Sequence, residues 1–140
     1  MNTLLLYIWQ LPQNVLGLLL FFIICITNKL EYSCHDRLKP FMFIKVKLSG
    51  FGITLGKYIF LGPVNNFDIE MFHEKGHAMQ SKKYGPLYLF IVGIPSILRQ
   101  IPHRYFHKNW PYSERMKWYY SGWPEKEADK LAGVDRYYKI

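Results

Sequence analysis

Cysteines and acidic side chains are scarce in this sequence of 140 residues. Two cysteines, Cys25 and Cys34, are too few for the disulfide framework that stabilises many small secreted domains. Ten acidic residues stand against 18 basic ones, which gives a net charge of +8. Such a charge fits nucleic acid, an anionic membrane surface or the positive flank of a membrane anchor. Half of the residues are apolar, which excludes a disordered chain, and the length fits one domain.

The first 28 residues contain no charged side chain. The apolar run within them, residues 4–27, is 24 residues long, and about 20 apolar residues span a bilayer. Polar residues interrupt it at 10–14, so either the span begins near Pro12 or the helix is kinked, and a buried pair of helices is the alternative. No basic segment precedes the run and no small-residue cleavage site follows it, which disfavours a cleaved signal peptide. We therefore predict a transmembrane segment over residues 1–28 and a second domain over residues 29–140.

Basic residues begin at Lys29, directly after the predicted span, and none precedes it. By the positive-inside rule, this asymmetry places the C-terminal body in the cytoplasm. We predict that the membrane is a bacterial inner membrane.

A second apolar block, residues 87–98, is too short to span a membrane and is broken by Gly93 and Pro95. A buried core helix, a re-entrant segment and an interfacial segment all fit it, and we predict that it is membrane-associated. The basic and aromatic residues 99–120 that follow are typical of the headgroup level of a membrane. Because no recognisable DNA- or RNA-binding module surrounds them, we expect membrane lipids as partners and no nucleic acid.

Between the two apolar segments, the sequence predicts β-structure and then a helix. Lys45 and Lys47 alternate with Ile44 and Val46, the two-residue period of a half-buried strand. Turn residues follow, and then a second apolar run up to residue 61, so we expect a small antiparallel β-hairpin over residues 41–61. A helix over residues 68–83 completes an α+β fold.

The helix over residues 68–83 carries the sequence HEKGH. Residues four apart lie on one helix face, so His73 and His77 would present two imidazoles to one metal ion, with Glu74 beside them. Zn²⁺ suits two nitrogens and one carboxylate and leaves a position for water. Glu74 would then act as the general base that takes a proton from this water. Two histidines alone are not a catalytic site, so a third ligand is required.

A helix over residues 124–132 supplies candidates for that ligand. Pro124 and Gly133 mark its two ends. Glu125 can bind the metal, and Asp129, one turn later on the same face, can accept the remaining N–H of a ligating histidine. Glu127 lies on the opposite side, where we expect it to be solvated. The predicted site is therefore a pair of helices with one metal ion between them.

HEKGH followed downstream by EKEAD resembles the HExxH…ExxAD arrangement of gluzincin metallopeptidases, especially the membrane-embedded group that includes the CAAX prenyl proteases. The resemblance implies a zincin-like domain that hydrolyses peptide bonds, with His73, His77 and Glu125 as zinc ligands and a peptide or protein as substrate. The run HExGHxxQS also resembles small uncharacterised bacterial membrane proteins, a likeness that supplies no activity.

Two further expectations concern the surroundings of this site, and one alternative concerns the function. Gly76 costs the helix about 1 kcal/mol relative to alanine, so we expect something to pack closely against it. Peptide hydrolysis also needs a donor to the oxyanion, and the spacing does not choose among Tyr119, Tyr120, His103, His107 and Arg136. The alternative function is a non-catalytic membrane protein that binds anionic lipid or a partner protein and has a structural or degenerate metal site.

Overall fold

Six α-helices and a four-stranded mixed sheet form the described part of the chain, which comprises residues 2–34, 38 and 40–136 of a computed structural model. The predicted α+β class is therefore confirmed. The α-helices are α1 (Thr3–Trp9), α2 (Leu11–Ile26), α3 (Phe67–Tyr84), α4 (Ile94–Ile101), α5 (Tyr112–Ser121) and α6 (Glu125–Ala132). The strands are β1 (Leu30–Cys34), β2 (Met42–Val46), β3 (Gly52–Leu55) and β4 (Tyr58–Leu61).

The sheet differs from the predicted hairpin. Its strand order is β1-β2-β4-β3, in which β2 pairs in parallel with β4 and the other two pairings are antiparallel. The hairpin consists of β3 and β4, so the prediction of one strand up to residue 61 was wrong. Gly56 and Lys57 reverse the chain in the middle of that run, and Gly56 has the positive φ of +63° that a tight hairpin turn requires.

The sheet packs between two helices. Phe43, Ile59 and Leu61 face α3 and its buried Met71. On the other face, β2 and β4 pack against Ile24 of α2 through the buried residues Ile44, Val46, Tyr58 and Phe60. All four residues of β4 are buried, as expected for a central strand that is covered on both faces.

The N-terminal apolar segment bends where its polar residues lie. Among the described residues, no single helix is long and apolar enough to cross a membrane, whereas α1 and α2 together pass by length and composition and are bent by 85° at their junction. Gln10 and Gln13, which interrupt the apolar run, both donate to the Ser81 hydroxyl of α3. Asn14 accepts from the backbone N–H of Lys57 in the β3–β4 turn. The polar interruption is therefore the place where this segment binds the body of the protein, and the transmembrane segment and the division after residue 28 stay predictions.

Residues 85–106, which we call the arm, follow α3 directly. Gly85 has a positive φ of +56°, and after it the backbone is helical but changes type. A 3-10 turn (Gly85–Leu87) is followed by a π-helical stretch (Leu89–Gly93), by α4 and by a second π-helical stretch (Pro102–Phe106). Tyr88 and Val92 on its inner face are buried. Its outer face exposes large apolar side chains, namely Leu87, Phe90, Ile94, Ile97, Leu98, Ile101 and Tyr105. Residues 87–98 are therefore not a core helix that is buried on all sides, which was one of the three interpretations of this segment.

Candidate metal centre

Three potential metal ligands from two distant segments meet in the interior. One ligand atom from each of His73, His77 and Glu125 lies within 4.8 Å of the other two. The Oε2 atom of Glu125 lies 3.0 Å from the Nε2 atom of each imidazole. Around a tetrahedral ion with bonds of about 2.0–2.1 Å, ligand atoms are about 3.3 Å apart. The two oxygen–nitrogen distances would therefore have to lengthen only slightly for an ion to bind. This buried group could hold a metal ion.

The crossing of α3 and α6 brings these ligands together. Both helices lie within one residue of the ranges predicted from the sequence. At the crossing, a Cβ atom added to Gly76 would lie 2.0 Å from the carbonyl oxygen of Ala128. The expected close packing at Gly76 is thus confirmed. Since glycine has no side chain, α6 approaches α3 closely enough for Glu125 to reach both histidines.

Each histidine is oriented through its second ring nitrogen. The Nδ1 atom of His73 lies 2.6 Å from Oδ1 of Asp129, and the Nδ1 atom of His77 lies 2.8 Å from Oε1 of Gln80. A partner at Nδ1 fixes the tautomer and leaves Nε2 free to bind a metal. Asp129 lies where the sequence placed it, whereas Gln80 was missed, although its position three residues after His77 on the same helix was the available signal.

Arg136 holds Asp129 in place. Its guanidinium donates to both carboxylate oxygens of Asp129, at 2.7 and 3.1 Å, and to Glu70 at 2.7 Å. Burial favours the neutral form of Asp129, but hydrogen bonds to His73 and Arg136 outweigh it and lower the pKa of this carboxyl group. Asp129 is therefore a charged acceptor for His73. Because Arg136 is buried and bonded to two carboxylates, it is not a free donor for an oxyanion.

Gln80 links the two helices on the other side of the site. Its Nε2 atom donates to the Pro124 carbonyl at 3.0 Å and to Glu127 at 2.9 Å. Glu127 also accepts hydrogen bonds from Lys83 and Tyr84 and is partly buried. The expectation that Glu127 is solvated was therefore wrong. This face of α6 packs on the C-terminal half of α3 instead of facing water.

The charges of the centre are strongly coupled. Burial opposes protonation of His73, but hydrogen bonds to Asp129 and Glu125 raise its pKa to about 10. Burial likewise opposes protonation of His77, yet the charge of Glu125 raises its pKa. The two imidazoles in turn hold the pKa of Glu125 well below its usual range despite its burial. Protons thus supply positive charge at this point, and a cation that binds here must displace them.

Glu74 lies beside the three ligands and is not one of them. Its Oε2 atom accepts a hydrogen bond of 2.7 Å from the Thr54 hydroxyl on β3. Burial raises the pKa of Glu74, against the opposing effects of both histidines and Thr54. A buried, fixed carboxylate with a raised pKa is suited to proton transfer.

The arm and α5 close the remaining sides. Ser96 of the arm donates to Oε1 of Glu125 at 2.6 Å, which leaves Oε2 to face the histidines. The Tyr120 ring packs edge-on against His73 while its hydroxyl donates to Glu70. Tyr119 is buried, and its pKa is raised by burial and by the nearby charge of Glu125, so its phenol keeps its proton.

Two of the five candidates for an oxyanion donor lie in ring clusters. The His103 ring contacts Tyr119, and the His107 ring stacks on Trp110. Arg136 and the Tyr120 hydroxyl are engaged with carboxylates, whereas the Tyr119 phenol bonds Gln100 and Ser96 and lies near the charge of Glu125.

Comparison of the chain with protein-family models, with curated proteins and with solved structures gave no match. The function therefore has to be inferred from the residues of the site.

Proposed function

We propose that this protein is a membrane-attached zinc metallopeptidase that hydrolyses peptide bonds with Glu74 as general base. The observation that carries the proposal is the convergence of His73 and His77 of α3 with Glu125, which lies 48 residues further along the chain. The resemblance of HEKGH…EKEAD to the gluzincin pattern supports the same function.

The donor set favours zinc over magnesium or calcium. Two imidazole nitrogens and one carboxylate suit Zn²⁺, whereas Mg²⁺ and Ca²⁺ prefer oxygen ligands. Asp129 and Gln80 occupy the Nδ1 atoms of His73 and His77, so both Nε2 atoms are presented to Glu125. Three protein ligands leave the fourth tetrahedral position open, as catalytic zinc sites do.

When bound, Zn²⁺ would supply a Lewis acid that polarises the scissile carbonyl and makes water acidic enough to deprotonate near neutral pH. Glu74 takes the proton from the attacking water and passes it to the leaving amine. Thr54 holds the Glu74 carboxylate in place for both transfers. Tyr119, as a neutral phenol, is the proposed donor to the developing oxyanion. β3 is an edge strand beside Glu74, and an extended peptide can pair with such an edge.

The membrane attachment belongs to the same proposal. It is supported by the uncharged run of residues 4–27, by the basic residues after it, and by the exposed apolar side chains of α1, α2 and the arm. We propose a bacterial inner-membrane location with the metal centre on the cytoplasmic side.

Metal analysis combined with a hydrolysis assay tests this function. Wild-type protein purified in detergent should contain close to one zinc per chain and cleave casein. Glu125→Gln should lose the metal, whereas Glu74→Gln should retain it and lose cleavage. An unchanged zinc content in the double variant His73→Ala/His77→Ala would refute the site.

One observation favours a second candidate, a membrane protein with a purely structural metal site. Glu125 is fully buried, and His73 and His77 are only 3% and 6% exposed, whereas structural zinc sites are closed and catalytic ones open. On this alternative the wild type and Glu74→Gln behave alike, because both hold zinc, both unfold on chelation and neither cleaves a peptide.

A further inference from the structure

The inner face of the arm covers the metal centre and its general base. The Tyr88 hydroxyl donates to the carbonyl oxygen of Thr54 on edge strand β3 at 3.1 Å, and Ser96 bonds Glu125 two turns later. Val92, between them, is fully buried. An extended peptide paired with β3 would use strand carbonyls such as that of Thr54. In the position described, the arm therefore occupies the approach to the site.

The outer face of the same arm is a continuous apolar stripe. Phe90, Ile94, Ile97 and Leu98 are between 48% and 67% exposed, and no charged side chain lies among them. Single exposed apolar residues are normal, but a contiguous apolar patch marks a surface that binds another phase or partner.

The basic character of the sequence around this stripe favours an anionic lipid surface as its occupant. No aspartate or glutamate occurs in the sequence between Glu74 and Glu114, whereas six lysines and arginines do. Arg104, near the end of the arm, and Lys108, just after it, are exposed, as is the neighbouring aromatic Trp110. Basic and aromatic side chains beside an apolar face are typical of segments that lie at the headgroup level of a bilayer.

We propose that the arm is a lid controlled by lipid. Its outer face lies in the surface of an anionic bilayer, and binding to that surface releases its inner face from the metal centre. Lifting the arm exposes Tyr88 and Val92. In water the exposure of this apolar surface is unfavourable, whereas lipid removes that part of the cost, so the bilayer favours the lifted state more than water does. The hydrogen bonds of Tyr88 and Ser96 oppose lifting in both media. Arg99 donates to the Tyr119 carbonyl and ties the far half of the arm to α5, so the part that lifts is residues 87–97. Lifting it breaks the hydrogen bonds of Tyr88 and Ser96 and also the one from the Trp123 indole to the Ile91 carbonyl. The lipid contact is independent of catalysis, whereas the role of the lid in admitting a peptide rests on the proposed function.

A spin label on the stripe tests the lipid contact. Phe90→Cys, in a Cys25→Ser/Cys34→Ser background, is labelled and reconstituted into vesicles of phosphatidylcholine and phosphatidylglycerol. We expect the label to be accessible to oxygen and shielded from a water-soluble nickel complex. A label at Tyr32→Cys on β1, which is also exposed, should remain accessible to nickel. Equal nickel accessibility at both positions would overturn the lipid contact.

The distance between these two labels on one molecule tests the lid. In anionic vesicles we expect a second, longer distance, and removal of one hydrogen bond by Tyr88→Phe should raise the ratio of long to short distances roughly two- to tenfold. Tyr120→Phe is the matched control, because it removes a tyrosine hydroxyl that bonds Glu70 and not the arm. A single distance, identical in all three proteins, would overturn the lid. Neither label experiment needs bound zinc or hydrolysis, so its failure is distinguishable from failure of the proposed peptidase.

Discussion

Replacing Gly76 by alanine tests whether the close helix crossing creates the metal centre. The added Cβ would lie 2.0 Å from the oxygen and 2.5 Å from the carbon of the Ala128 carbonyl group. Contact distances in packed interiors are about 3.5 Å, so α6 has to move away by roughly 1 to 1.5 Å. The neighbour is backbone, so a side-chain rotation cannot relieve the overlap.

That displacement is large compared with the tolerances of the site. Glu125 lies 3.0 Å from both Nε2 atoms and Asp129 lies 2.6 Å from His73, whereas a separation of about 3.6 Å is no longer a hydrogen bond. Alanine would stabilise an isolated helix by about 1 kcal/mol relative to glycine, but overpacking costs about 1–3 kcal/mol. We therefore expect Gly76→Ala to lower the free energy of unfolding of the metal-free protein by up to about 2 kcal/mol. Its metal affinity should fall by at least roughly tenfold.

The assay compares metal affinity, by competition with a chromophoric chelator, and thermal unfolding with and without zinc. Gly93→Ala is the matched control, because Gly93 also has helical backbone and an added Cβ would have no neighbour closer than 3.9 Å. This variant should keep its metal and unfold at the same or a slightly higher temperature. If Gly76→Ala binds metal as tightly as the wild type and also has a higher melting temperature, the close crossing of α3 and α6 is refuted.

Three further predictions concern the surroundings of the site. Gln80→Leu removes the acceptor for the His77 Nδ1–H group and should weaken zinc binding roughly 10- to 100-fold in the same competition assay. Arg136→Met leaves buried Asp129 without its cation and should lower the free energy of urea unfolding by about 3 kcal/mol. Lys83→Met, which removes an exposed lysine from the partly buried Glu127, should lower it by no more than about 1 kcal/mol. Chelation of the metal should lower the melting temperature reversibly, since free zinc at about 100 times its dissociation constant contributes about 2.7 kcal/mol; an unchanged melting temperature would contradict a metal site in the folded state.

The candidate ligands were predictable from the sequence because helix geometry and metal chemistry act locally. His73 and His77 lie on one face of α3 by spacing alone, and only a few residue types can complete their coordination. Gly76 added an independent signal, since a costly residue in the middle of a helix indicated a close neighbour.

The sheet was less predictable because its pairings are not local. β2 pairs in parallel with β4, and β3 lies between them in the sequence but outside them in the sheet. Alternation of apolar residues locates a strand such as β2 without identifying its partner. The Gly56-Lys57 turn was the available local signal, yet the apolar residues on either side of it made the run resemble one continuous strand.

The inner face of the arm escaped prediction for a geometric reason. At 3.6 residues per turn, each step of four residues overshoots a full turn by about 40°, so Tyr88 and Ser96 would be rotated apart by about 80° on an ideal α-helix. The π-helical stretch Leu89–Gly93 has a wider turn, which reduces this rotation and lets both side chains face the site. Pro95 ends that stretch and has no N–H for the Ile91 carbonyl, which instead accepts a hydrogen bond from the Trp123 indole, next to the start of α6. The carbonyl that Pro95 leaves without a helical N–H partner thus links the arm to the residues just before the helix that carries Glu125, a connection that the sequence pattern of the block does not reveal.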